Sequence, residues 1–119
     1  MVDKSVIDAF DMMWGPFPEP VMLIQKNRTI LAVNDAARAA GVPLGVKCSS
    51  LNPETEGDNH CRQCKAPLAL KQSQAVSCYA FTNGRHMKAY WMPLKDVPDV
   101  YVHLGINISD EMNSCQAKA

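Results

Sequence analysis

The stretch Val21-Met22-Leu23-Ile24-Gln25-Lys26-Asn27-Arg28-Thr29-Ile30-Leu31-Ala32-Val33-Asn34-Asp35-Ala36-Ala37 decides the fold. Four apolar residues, Val21 to Ile24, read as a short buried strand. Lys26-Asn27-Arg28 is a turn, and Thr29 to Val33 is the returning strand of a hairpin. Asn34 then caps a short helix through Asp35 to Ala40, because its side chain can accept from a first-turn backbone N–H, and Gly41 closes that helix.

On the N-terminal side, Ser5 is positioned to cap a helix with Val6, Ile7, Phe10, Met13 and Trp14 at helical spacing. The prolines of Gly15-Pro16-Phe17-Pro18-Glu19-Pro20 end it. On the C-terminal side the pattern dissolves from Val42 to Asn59 into a loop-rich stretch. Pro67 then starts a helix with Leu68-Ala69-Leu70-Lys71-Gln72. Ala75 to Phe81 and Arg85 to Met92 are strands joined through Thr82-Asn83-Gly84, and Asn-Gly is a strong hairpin signal. Lys95 to Asp99 turns the chain, and Val100 to Ile108 is the last strand. The expected core holds Leu23, Ile30, Val33, Leu68, Val76, Trp91, Val102 and Leu104.

A chain of 119 residues, 47% hydrophobic and 20% charged, suits one globular domain. Twelve basic and twelve acidic residues cancel. No like-charge block offers an electrostatic footprint for nucleic acid or an acidic membrane. No apolar run approaches the roughly 20 residues that span a bilayer, and the N-terminus lacks a signal-peptide pattern. The expected compartment is the cytoplasm.

The chemistry-bearing residues are cysteines. Cys48, Cys61, Cys64 and Cys78 fall close together, with Cys61-Arg62-Gln63-Cys64 as a Cys-x-x-Cys pair. Thiolates suit zinc, iron–sulfur clusters and reversible disulfides. The full spacing matches no standard zinc-finger or ferredoxin pattern, and small residues bracing a loop explain the pair equally simply. Cys61 and Cys64 precede a helix N-terminus, which favours negative charge there. Cys78 is mid-strand, where a small hydrophobe is the ordinary role of cysteine. His60 is a reserve ligand, and Cys115 lies in a polar tail. The carboxylates are paired with no nucleophile, so no enzyme active site is read. Met22, Tyr79, Met87 and Trp91 are candidate pocket residues, with plain core as the competing role.

The order of elements and these motifs resemble a PAS domain. The hairpin into Asn34-Asp35-Ala36-Ala37 is similar to the family's opening signature. Asn83-Gly84-Arg85, Met92-Pro93-Leu94-Lys95-Asp96 and Asn107-Ile108-Ser109 resemble its second half, where the family commonly ends in Asp-Ile-Thr. Gly45-Val46-Lys47-Cys48 and Cys61-Arg62-Gln63-Cys64-Lys65-Ala66-Pro67-Leu68 resemble a bacterial PAS subgroup with Gly-x-x-Cys and Cys-x-x-Cys-Pro-Leu, here with two extra residues before Pro67.

The resemblance implies an α/β (α+β) fold: a five-stranded antiparallel sheet, short helices on one face and an N-terminal helix. It divides the chain into an N-terminal helix and linker (1–17), a PAS sensor domain (18–110) and a tail (111–119). It implies a sensory, non-enzymatic module that detects a ligand or redox state. Expected partners are a second copy, pairing through residues 5–14, and a histidine kinase, diguanylate cyclase or transcription-regulator output domain. It also implies that Cys48 and the helix after Cys64 share one side of the sheet. Zinc or an iron–sulfur cluster is compatible with the sulfurs. Haem is disfavoured because Pro67 to Ser73 has no histidine, and flavin because no Asn-Cys-Arg-Phe-Leu-type motif is present. A metal or cluster sensor and a thiol–disulfide redox protein are the alternatives.

Overall fold

The computed structural model describes residues 2–48, 64–82 and 84–109. Its elements are α1 (Lys4–Trp14), β1 (Val21–Gln25), β2 (Ile30–Val33), α2 (Asp35–Ala39), α3 (Ala66–Gln72), β3 (Val76–Thr82), β4 (Arg85–Pro93) and β5 (Val100–Asn107). The strands form one antiparallel sheet in the order β2-β1-β5-β4-β3. The last strand in sequence is thus the middle strand in space. Thr82 pairs with Arg85, and Gly84 takes the left-handed conformation at φ 74° that this tight connection needs.

Alternation along the strands sorts the core into two layers. Ile24, Trp91 and Tyr101 face α2 and α3, together with Ala37, Ala66 and Ala69 from those helices. Val21, Leu23, Val102 and Leu104 face the other way, where Phe10 of α1 covers them. A register shift between Leu23 and Ile24 interrupts the alternation. It accounts for Leu31 and Ala32, sequence neighbours, both joining the α1 layer.

Asn34 fastens the two layers together. Its Oδ1 accepts from Val21 N at 2.9 Å and from Ala37 N at 3.0 Å. Its Nδ2 donates to the carbonyls of Trp14, Phe17 and Glu19 at 3.1, 3.2 and 2.9 Å. One buried amide therefore caps α2, starts β1 and anchors the proline-rich link from α1.

Two sequence expectations change. α1 begins at Lys4, with Asp3 at its cap position and no side-chain cap bond, so Ser5 lies inside the helix. Leu68 is 44% exposed and not core. The inward positions of α3 are Ala66 and Ala69, with Leu70 packed beside them. Leu68, two residues beyond Ala66, is rotated by more than half a turn of helix from it. Among the described residues no helix is long and apolar enough to cross a membrane.

Candidate functional site

The α2/α3 face of the sheet carries the candidate chemistry. Cys48, Cys64 and Cys78 all pack against that layer. Cys48 is brought there by a return of the chain along the β1–β2 hairpin. Thr29 bridges to Lys47, and Cys48 N donates to the Arg28 carbonyl at 2.9 Å. Cys64 lies just before α3, and Cys78 sits in β3 opposite Ala89. Cys61 and His60 lie outside the described residues. Among the described residues no three histidine, cysteine or acidic side chains form a group able to hold a metal.

Cys48 and Cys64 both pack against the layer that holds Tyr101. This side chain is fully buried, and its hydroxyl has no aligned hydrogen-bond partner among the described residues. The Cys48 thiol lies beside it, but a thiol is a weak donor and acceptor. Burial raises the Tyr101 phenol far above its ordinary range; Cys48 and Cys64 add to the shift, and the Arg28 guanidinium opposes it. Tyr101 is therefore a neutral phenol. Arg28 is itself buried, adopts a left-handed backbone at φ 77°, and turns its side chain inward.

The four candidate pocket residues do not share a face. Trp91 and Met22 belong to the α2/α3 layer. Met87 lies on the same side, since it pairs with Ala80, two positions along β3 from Cys78. Tyr79 is on the opposite side and 70% exposed. There the Lys88 ammonium lies 5.2 Å from its ring centre and 5.1 Å from that of Tyr90. Hydrogen bonding to Tyr90 and then Tyr79 raises the Lys88 pKa. Between Trp91 and Met87 the α2/α3 face is floored by Cys78, Ala89 and Gly105, all small side chains.

His103 pairs with Trp91 across β4 and β5 and stacks on it, with ring centres 4.8 Å apart. Its Nδ1 lies 2.8 Å from the Tyr90 carbonyl. A carbonyl only accepts, so Nδ1 carries the proton. Burial lowers the His103 pKa, and the bond to Tyr90 opposes that in part.

Sequence reasoning passed over Arg28, Tyr101 and His103. Arg28 reads as an ordinary polar turn, and the two strand residues as members of an alternating run. The one available signal was the alternation itself, which places Tyr101 and His103 on the face of Trp91.

No family model matches the chain, and no curated protein matches its sequence. Solved structures do match. A domain of an HTR-like protein from Haloarcula marismortui aligns with a TM-score of 0.62 at 20% identity, over 76% of this chain and 98% of that one. The PAS domain from Bordetella pertussis BvgS aligns with a TM-score of 0.62 at 16% identity, over 98% of this chain and 100% of that one. The photoactive yellow protein domain from the sensor histidine kinase Ppr of Rhodospirillum centenum gives 0.52 at 14% identity, over 86% and 97%. The chain has the PAS fold.

Proposed function

We propose that this chain is a sensory, non-catalytic PAS module that reads a ligand or a redox change on its α2/α3 face and passes it to a partner through β5. The observation that carries this reading is the buried Tyr101, a β5 residue whose hydroxyl lies beside the Cys48 thiol and whose core layer Cys64 also packs against. A change at either sulfur bears directly on the middle strand of the sheet. That strand also presents Val102 and Leu104 to the α1 layer, so a shift in β5 reaches both layers at once. The likeness to a BvgS domain and to a domain of a sensor histidine kinase supports a signalling role and a kinase-type output. A second copy pairing through α1 and a cytoplasmic location belong to the same reading.

Cys48 and Cys64 are the sulfurs we assign to redox or metal chemistry, with Cys61 entering from the sequence pair alone. Zinc or an iron–sulfur cluster would use them as thiolates. The test is purification without oxygen, measurement of zinc and iron, and thiol titration before and after mild oxidation, with hydrogen exchange in β5 followed in parallel. Bound metal, or oxidation that alters β5 exchange, is the expected result. No metal, together with thiols that react independently and leave β5 exchange unchanged, returns the cysteines to packing residues.

A further inference from the structure

A strand at the edge of a sheet presents backbone donors and acceptors that no neighbouring strand pairs. Proteins ordinarily defend such an edge with charge, proline, a bulge or a covering segment. The two edges here are β2 and β3. β2 is covered: Ile30 N donates to the Val46 carbonyl at 2.9 Å, and Gly45 N donates to the Ile30 carbonyl at 2.9 Å. β3 has none of these defences among the described residues. Its sequence, Val76-Ser77-Cys78-Tyr79-Ala80-Phe81-Thr82, contains no charge and no proline, and it pairs with β4 without a register shift.

The outward groups of β3 follow from β4. His86 N donates to Ser109 Oγ at 2.9 Å, and the His86 carbonyl accepts from Ile108 N at 2.8 Å, so this backbone turns away from β3. Backbone direction alternates along an antiparallel strand. Phe81, Tyr79 and Ser77, opposite His86, Lys88 and Tyr90, therefore turn their N–H and C=O groups to the open edge. Their side chains share one face, where Tyr79 is 70% and Phe81 65% exposed. A strand laid along β3 gains ladder bonds at these positions and finds two aromatic side chains beside it.

The charge of this half of the sheet selects the strand that fits. From Cys64 to Lys95, a run that includes α3, β3 and β4, the chain carries Lys65, Lys71, Arg85, Lys88 and Lys95 and no carboxylate. Arg85 and Lys88 belong to the strand paired with β3, and the Lys88 ammonium lies 5.2 Å from the Tyr79 ring centre. A second copy set on β3 would bring the same cations against these, whereas an acidic segment meets them with opposite charge.

We propose that the β3 edge takes an extended acidic segment of a partner protein as an added strand, with aliphatic side chains against Tyr79 and Phe81. Binding there is independent of the sulfur chemistry assigned to Cys48 and Cys64, so either can fail without the other.

The experiment is fluorescence anisotropy of the full 119-residue chain with short labelled peptides. One alternates valine with glutamate, a second has lysine for each glutamate, and a third is the glutamate peptide with alternate backbone amides N-methylated. The glutamate peptide should bind and slow amide exchange at Ser77, Tyr79 and Phe81. The lysine and N-methylated peptides should each bind at least about tenfold more weakly. Arg85→Gln with Lys88→Gln should weaken the glutamate peptide by about tenfold and flatten its salt dependence. Tyr79→Pro removes the central outward N–H, which an edge position tolerates, and should abolish binding. The assignment is overturned if the glutamate peptide does not bind, if it binds without slowing exchange at those three amides, or if the lysine or N-methylated peptide binds as tightly. It is also overturned if Tyr79→Pro lowers the mass of the unmodified chain in light scattering, which would make a second copy the occupant of β3.

Discussion

Asn34 and His103 show how single polar residues set the limits of this fold. All five hydrogen bonds of the Asn34 side chain are made inside the protein, and each ends on a backbone group. Asn34→Ala therefore leaves several buried groups unpaired at once and should cost about 3 kcal/mol or more, measured by urea denaturation. Asn34→Asp should also destabilise, because a carboxylate cannot donate to the Trp14, Phe17 and Glu19 carbonyls. A loss below about 1 kcal/mol in both variants would mean that water replaces the amide. His103 sets an acid limit. Its folded pKa lies below the unfolded value of about 6.5 because burial disfavours the imidazolium. The unfolded chain thus binds more protons just below that pH, and stability rises with pH in this window. The contribution of His103 is complete above about pH 6.5 and is lost as pH falls toward the lowered folded pKa. Denaturation curves at pH 7.5, 6 and 5 should show this slope in the unmodified chain and a shallower one in His103→Gln. Equal slopes would assign the acid sensitivity to other groups.

At the scale of elements, local signals were legible and side assignments were not. The β1–β2 hairpin, the Asn34 cap and the tight β3–β4 connection at Gly84 are set by residues adjacent in sequence, so their chemistry could be read directly. The face of Tyr79 could not be read, because both sides of this sheet bear apolar residues and the usual inward-apolar alternation is blurred. Leu68 misled for a related reason: α3 approaches the sheet closely through Ala66 and Ala69, so its largest side chain is not its buried one. In α1 the expected pairing face divides. Phe10 is buried against the chain's own sheet, while Met12 and Met13 are 75% and 70% exposed. Phe10→Ala should thus cost about 3 kcal/mol by loosening the helix from the sheet. Pairing through α1 predicts a dimer mass in light scattering at tens of micromolar, an order-of-magnitude working concentration. Met12→Lys with Met13→Lys should convert it to monomer while leaving the denaturation midpoint within about 0.5 kcal/mol equivalent. A monomer mass for the unmodified chain ends that assignment.

Over the whole molecule, buried polar groups are unevenly satisfied. Asn34 is saturated, whereas the Tyr101 hydroxyl and the Arg28 Nε are buried without an aligned hydrogen-bond partner among the described residues. Sequence could place the cysteines near the α2/α3 layer by order of elements, but nothing in Lys26-Asn27-Arg28 signals a buried charge. The inward turn depends on a left-handed Arg28 and on the Lys47–Cys48 segment returning along the hairpin. A buried donor without a good partner carries its desolvation cost in the folded protein. Removing such a donor should therefore stabilise the fold. Tyr101→Phe should raise stability by about 1 kcal/mol, seen as a higher urea midpoint with unchanged slope. If Tyr101→Phe instead costs as much as Asn34→Ala, the hydroxyl is held by a hydrogen bond within the chain, and the Cys48 thiol beside it is the partner to test by Cys48→Ala.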